Sequence, residues 1–335
     1  MSTPPAWPKA YSDLGCSAGF KARPEDFEVD EALGFEPVGA GEHLYLRLEK
    51  RSKETRVLAR EVAAAYGVAT IDVGYAGMKD KHAVTRQWFS VCTSEADDVA
   101  RAAGFRVLQS SRHQRKLRRG QLARNTFAVL LRGVSGVGWQ ERLAAISASG
   151  VPNYYGPQRF GQDNLARARE WLRMRRQRSI SRFKQGLYLS VLRSYLFNQV
   201  LARRVRDGSW CDLLAGDVRA SENPETAAYC VATAPLWGRG RSATTELAGE
   251  LEAAALAPYA EICEGLEYAG VRQQRRTLVL RPDGLSWTTL GQDLSVRFDL
   301  LPGCYATTLL AEAFALDLSP DSPTDAAIEQ QAQSR

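Results

Sequence analysis

The hydrophobic pattern of this 335-residue chain changes period near residue 150, and no other feature limits its fold as strongly. Before that point the apolar residues alternate. "EHLYLRLEK" at 42–50 sets Leu44, Leu46 and Leu48 on one face and Tyr45 and Arg47 on the other, and "FKARPEDFEVDEAL" at 20–33 alternates around Phe27 and Val29. "TRQWFSVC" at 85–92 and "NTFAVLLR" at 125–132 follow the same two-residue period, which is that of a strand with one buried face. "KETRVLAREVAAAYG" at 53–67 has helical spacing and a glycine stop, and it leads into "IDVGYAG" at 71–77, a strand ending in glycine. Beyond "GVPNYYGPQRFGQDN" at 150–164 the period becomes helical, with Leu192, Tyr195, Leu196 and Val200 on one stripe of "SVLRSYLFNQVLARRV". The expectation is an α+β sheet with helices packed on it, then a second and more helical unit. Residues 276–310 read as further strands, and the polar end of the chain reads as a disordered tail.

Charge singles out one part of the chain. Residues 101–200 hold 20 Lys and Arg against 3 Asp and Glu, although the whole chain is only +6. Two runs carry most of it, "RHQRKLRRGQLAR" at 112–124 and "ARAREWLRMRRQRSISRFK" at 166–184. A field of this kind suits a polyanion, although 36 Arg against 8 Lys is also the mark of a G+C-rich genome. The six cysteines form no C-x-x-C pair, and the three histidines, His43, His82 and His113, lie far apart. Neither a zinc site, a disulfide framework nor a Ser-His-Asp triad is indicated, so carboxylates are left as the carriers of any chemistry. No run approaches 18 apolar residues and no secretion-signal order is present, which makes the cytoplasm the expected address.

The carboxylate of most interest is Asp80 in "AGMKDKHAVTRQ" at 76–87. It comes three residues after a glycine at a strand end, where a side chain can project over a cleft. Lys79 and Lys81 flank it, and opposite charge nearby favours an ionised carboxylate, which is a nucleophile or a base rather than an acid. Motif-free, an Asp between lysines in a turn is more often an ordinary solvated residue.

"AGMKDKHAVTRQ" resembles the signature of the TruD family of tRNA pseudouridine synthases. Five further segments resemble the family in the same order: "FKARPEDFEVDE" (20–31), "RHQRKLRRGQLARNTF" (112–127), "VPNYYGPQRFG" (151–161), "SVLRSYLFNQVLARR" (190–204) and "LPGCYAT" (301–307). The resemblance implies an α+β fold in a V-shaped molecule: a pseudouridine-synthase catalytic domain with a mixed or antiparallel sheet and flanking helices, interrupted by an inserted α/β TRUD domain. Residues 1–150 and 301–320 are expected to form the catalytic domain, 151–300 the insertion, and 321–335 the tail.

It also implies the reaction, conversion of uridine to pseudouridine at position 13 of tRNA, by a monomer that needs no metal, organic cofactor, membrane or protein partner. Asp80 matches the catalytic aspartate, and whether it attacks C1′ of the ribose or removes the C2′ proton stays open. Phe27, Asn125 and Tyr305 are carried over as substrate contacts, and Phe127 as a ring that stacks on the uracil. Both phenylalanines also lie on strand patterns, where a core role is the commoner one. Lys21, near Phe27 in sequence, is expected to pair with Asp80 across the site. Asn153, Gln158, Arg159 and Phe160 are expected at a hinge and along the RNA approach rather than in the chemistry. Two rivals remain at this level: an RNA-binding protein with a vestigial site, and an RNA N-glycosylase that cuts the same bond and releases uracil.

Overall fold

The structure, a computed structural model, describes residues 6–161, 163–174, 180–221 and 230–318; the expected tail at 321–335 lies outside the described residues. The first part of the chain forms β1 (Ser17–Phe20), β2 (Phe27–Leu33), β3 (His43–Arg51), α1 (Thr55–Ala65), β4 (Gly74–Tyr75), β5 (Val84–Cys92), α2 (Asp98–Ala102), β6 (Arg106–His113), β7 (Leu122–Ser135) and α3 (Trp139–Ser149). The middle holds β8 (Val151–Pro152), α4 (Asn164–Arg173), α5 (Arg182–Arg206), β9 (Arg219–Ser221), β10 (Cys230–Leu236), α6 (Glu246–Leu256), α7 (Ala260–Tyr268), β11 (Gln274–Thr277) and β12 (Val279–Leu280). The chain closes with β13 (Asp283–Leu290), β14 (Asp293–Leu300), α8 (Ala306–Ala311) and β15 (Ala315–Leu318).

Ten of these strands make one mixed sheet, ordered β13-β14-β7-β2-β5-β3-β6, with β1 and β15 joined through β7 and with β4 on β5. The fourteen-residue β7 is its spine, because it pairs with β14, β2 and β1. Most pairings are antiparallel; β2 runs parallel to β5, and β1 parallel to β15. The alternation of β3 is real, but both of its faces are covered. Leu44, Leu46 and Leu48 pack with Leu58 and Val62 of α1, while Tyr45 on the other face is buried with Trp88 and Leu117. On the other side of the spine, Phe20, Phe27, Val29, Phe127 and Val129 pack with Leu143 and Ile146 of α3 and Leu309 and Leu310 of α8.

Three segments differ from the sequence expectation. The sheet takes up the chain again at Asp283 rather than at 301: β13 pairs with β14, and β14 pairs with β7 from Leu294↔Leu131 to Leu300↔Asn125. Alternation marks a hairpin at this point but carries no information about which sheet it joins. Residues 306–311, with two β-branched threonines, form a helix rather than a strand, since Ala306, Leu309 and Leu310 fall on one buried helical face. The run at 71–77 keeps only Gly74–Tyr75 as strand.

The second unit is built on α5, whose stripe of Val191, Leu192, Tyr195, Leu196 and Val200 packs in one core with Ala168 of α4, Leu266 of α7 and Ala232 and Ala234 of β10. Ser181 caps the helix, its hydroxyl accepting from the Lys184 amide, and arginines fill the last turn, where cations are favoured. Asn153 and Phe160 are buried within this unit, Asn153 donating to Thr277, so both are architectural and present no surface to RNA. Arg159 is tied to Ser190 and Ser194. The Gln158 side chain lies outside the described residues.

Candidate active site

Asp80 lies in the loop between β4 and β5, and three polar side chains fix its backbone. Gln87 of β5 donates to the Gly77 carbonyl at 2.5 Å, Thr55 at the start of α1 accepts from the Lys79 amide at 3.0 Å, and Lys50 of β3 donates to the Asp80 carbonyl at 2.8 Å. Thr55 also donates to Gln87 at 3.2 Å, joining two of the anchors. All three side chains are buried, so each of these bonds is shielded from competing water. Gly74, just upstream, must be glycine: a Cβ there would fall 2.3 Å from the Leu117 carbonyl and 2.5 Å from the Ser90 hydroxyl. The basic loop before β7 thereby packs directly onto the start of the Asp80 segment. Arg119 of that loop lies over the Tyr75 ring and donates to its hydroxyl at 2.8 Å.

Asp80 opens onto a cleft of about 260 Å³ that Lys21, Phe27, Asn125, Phe127 and Tyr305 also line. All six residues singled out in the sequence therefore meet at one place, although Tyr305 is 278 positions from Phe27 in the chain. Lys21 makes the expected pair, its Nζ 3.4 Å from Asp80 Oδ1 and 3.9 Å from the centre of the Phe27 ring. It holds a left-handed backbone, φ +56°, which costs a residue with a Cβ roughly 1–2 kcal/mol and turns its side chain in beneath the carboxylate. Ion pair and ring together place a cation against Asp80 in a half-closed setting.

Lys79 departs from the expectation that both flanking lysines serve Asp80. Its side chain is 6% exposed, and its Nζ contacts Glu31 Oε2 at 2.7 Å and Asn125 Oδ1 at 2.5 Å. Glu31 is wholly buried and its other oxygen accepts from the Trp88 amide. Burial pushes the Glu31 carboxyl above its ordinary range, opposed by the neighbouring Lys79 charge. Alternation along β2 places Glu31 on the same face as Phe27 and Val29, a face that reads as core, and gives no sign of this buried pair.

The phenylalanines are both core and cleft. Phe27 and Phe127 are buried, and with Phe298 they form a run of rings at 5.8 and 5.4 Å. The opposite wall is the segment Gly303–Thr307. Arg276 of β11 donates to the Gly303 carbonyl at 3.0 Å and to both oxygens of Asn153, and its guanidinium lies 4.3 Å from the Tyr155 ring. Tyr155 in turn meets Tyr305 edge-on at 6.1 Å, and burial pushes the Tyr305 hydroxyl above its ordinary 10. Lys50, Thr55, Gln87 and Arg276 escape sequence reasoning because each acts through a backbone carbonyl or amide far away in the chain.

A family model for tRNA pseudouridine synthase D (TruD) matches residues 10–168 and 177–313. The chain belongs to the tRNA pseudouridine synthase D family. It is 43% identical over 335 residues to the tRNA pseudouridine synthase D of Methylococcus capsulatus, covering 92% of this chain and 94% of that one. It is 44% identical over 325 residues to that of Cellvibrio japonicus, with 93% of each covered. Among solved structures, one described as the tRNA pseudouridine synthase D of Methanosarcina mazei superposes with a TM-score of 0.66 over 93% of this chain and 96% of its own, at 21% identity. That likeness supports the fold.

Proposed function

We propose that this protein isomerises uridine to pseudouridine at position 13 of tRNA, with Asp80 as the group that acts on the ribose. The observation that carries the reading is the pairing of Asp80 with Lys21 on the floor of a cleft edged by Phe27 and Phe127. A carboxylate held against a cation is suited to attack C1′ or to take the C2′ proton, and the group that leaves C1′ is the uracil, which stays in the cleft to be re-attached through C5 and needs no second acid to protonate it. A uridine in folded RNA reaches such a cleft only by being unstacked and turned out, and the aromatic edges offer it a replacement surface. The charge distribution is consistent with this. Arg119 borders the Asp80 loop, and Arg56 of α1 lies 4.7 Å from the exposed Phe183 ring at the start of α5, so both basic runs come close to the sheet-borne site. In this reading the sheet-bearing part of the chain is the catalytic domain, and the α5-centred unit between its strands is the insertion.

The test is incubation of wild type and Asp80→Asn with an unmodified tRNA transcript, without added metal, followed by carbodiimide-primed reverse transcription. A stop at position 13 with wild type alone supports the assignment. An abasic product of lower mass points to the N-glycosylase instead, and tight binding with no modification points to a binding module.

A further inference from the structure

We infer that Lys79 and Glu31 are positioning residues that lock the side-chain amide of Asn125 with its N–H₂ group toward the cleft, so that the site selects a base by its keto oxygen. The inference rests on the proposed uridine isomerisation and adds how the base is held. An ammonium group has three donors and no acceptor, so the atom of Asn125 that faces Lys79 Nζ at 2.5 Å must be Oδ1. Lys79 cannot swing away, because its other partner is the wholly buried Glu31 at 2.7 Å, and Glu31 is itself held by the Trp88 amide. Glu31 and Asn125 are register partners across β2 and β7, so the sheet sets their spacing. With Oδ1 engaged, Nδ2 and its two protons are the end of the amide left for a ligand, and among the described residues no acceptor takes them.

The chemistry that fits is a keto group. Uracil offers O2 and O4; a donor set against O4 also turns away cytosine, whose C4 amino group would meet it head-on, whereas O2 is common to both bases. The same donor assists the reaction itself. When the C1′–N1 bond breaks, its electron pair stays on the base, giving a uracil anion with charge shared among N1, O2 and O4. The pair is used again when C5 bonds to C1′; C5 then loses its proton and N1 gains one. A fixed N–H aimed at one keto oxygen stabilises that transient charge.

The experiment is a set of single-turnover reactions on tRNA carrying uridine, 2-thiouridine or 4-thiouridine at the target position, read by nucleoside chromatography of the digested product. Wild type, Asn125→Ala and the double variant E31Q/K79M are compared; the double variant removes both charges together, because K79M alone leaves Glu31 buried and unpaired. Sulfur is a poor acceptor, so one of the two thio substitutions should slow wild type about tenfold. Neither Asn125→Ala nor E31Q/K79M should respond to it by more than about twofold, since a donor that is absent or free to flip has nothing to lose. Wild type indifferent to both thio bases would sink Asn125 as the donor. Equal sensitivity in wild type and E31Q/K79M would overturn the role given to Lys79 and Glu31. Wild type inactive on plain uridine would instead remove the isomerase reading.

Discussion

The two walls of the cleft are held by different means. On one side Phe27, Asn125 and Phe127 stand on β2 and β7, where register sets their spacing, and the Asp80 loop is tied down by Lys50, Thr55 and Gln87. On the other side Gly303–Tyr305 hangs between β14 and α8, with Ala306 and Thr307 opening that helix, and Arg276 and Tyr155 of the second unit steady it. The first wall is preorganised by the sheet and is expected to keep its shape whatever the second unit does. The second wall is only as well placed as the seat of the α5 unit. On the proposed function, the carboxylate that acts on the ribose stands on the first kind of support, and the surface that admits and releases the base on the second.

The largest effect expected is on the sheet-borne wall. Lys79→Met leaves Glu31 buried without its partner and should destabilise the protein by about 3–5 kcal/mol in denaturant unfolding, whereas E31Q/K79M should recover most of that. Equal losses in both variants would mean that the pair stabilises through packing and not charge. Arg276→Ala tests the suspended wall: it removes donors from Gly303 and Asn153, and a loss of about 2 kcal/mol accompanied by a roughly tenfold fall in kcat/KM is expected. A change in stability with unchanged kcat/KM would show that the two walls are equally self-sufficient.

A smaller effect is expected at Glu312, just after α8, which accepts from the amides of Ala10 and Tyr11 and whose carboxyl burial pushes above its ordinary 4.5. A carboxyl raised in the folded state binds its proton more tightly there than in the unfolded chain. Its contribution to stability is complete below about pH 4.5 and is lost as pH rises through the folded value. Wild type should therefore gain stability relative to Glu312→Gln as the solution is acidified from neutral pH; a difference independent of pH, or one of opposite sign, would refute this. The smallest effect is expected at Arg106→Ala, whose ion pair with Glu49 is exposed on the arginine side and should be worth less than about 0.5 kcal/mol.

The same division explains what the sequence discloses. Strands β2, β3, β5 and β7 are legible from alternation, because each has a face that water cannot reach. The six cleft residues are legible through local motifs that resemble a family. Lys79 is not, because a loop of a few residues decides which way its side chain turns, and the pattern offers two lysines with equal claim on Asp80. Arg276 is not, because its target is a carbonyl, which every residue possesses. The β13–β14 hairpin is legible as strands but not as members of the large sheet, since pairing partners are chosen by the finished core.

The parallel pairing of β1 with β15 sets Ser17 beside Ala315 and Phe20 beside Leu318. A ribosome delivers β1 early, and β7 covers one of its edges about 115 residues later, yet the strand on its other edge arrives only after roughly 300 more residues, so that edge must wait while everything else is made. Synthesis thus imposes an order: the seam that closes last also carries the short stretch following Tyr305. A nascent chain stalled before residue 315 would have made the other strands of the large sheet and would lack only this parallel seam, so β15 is the last strand the sheet receives.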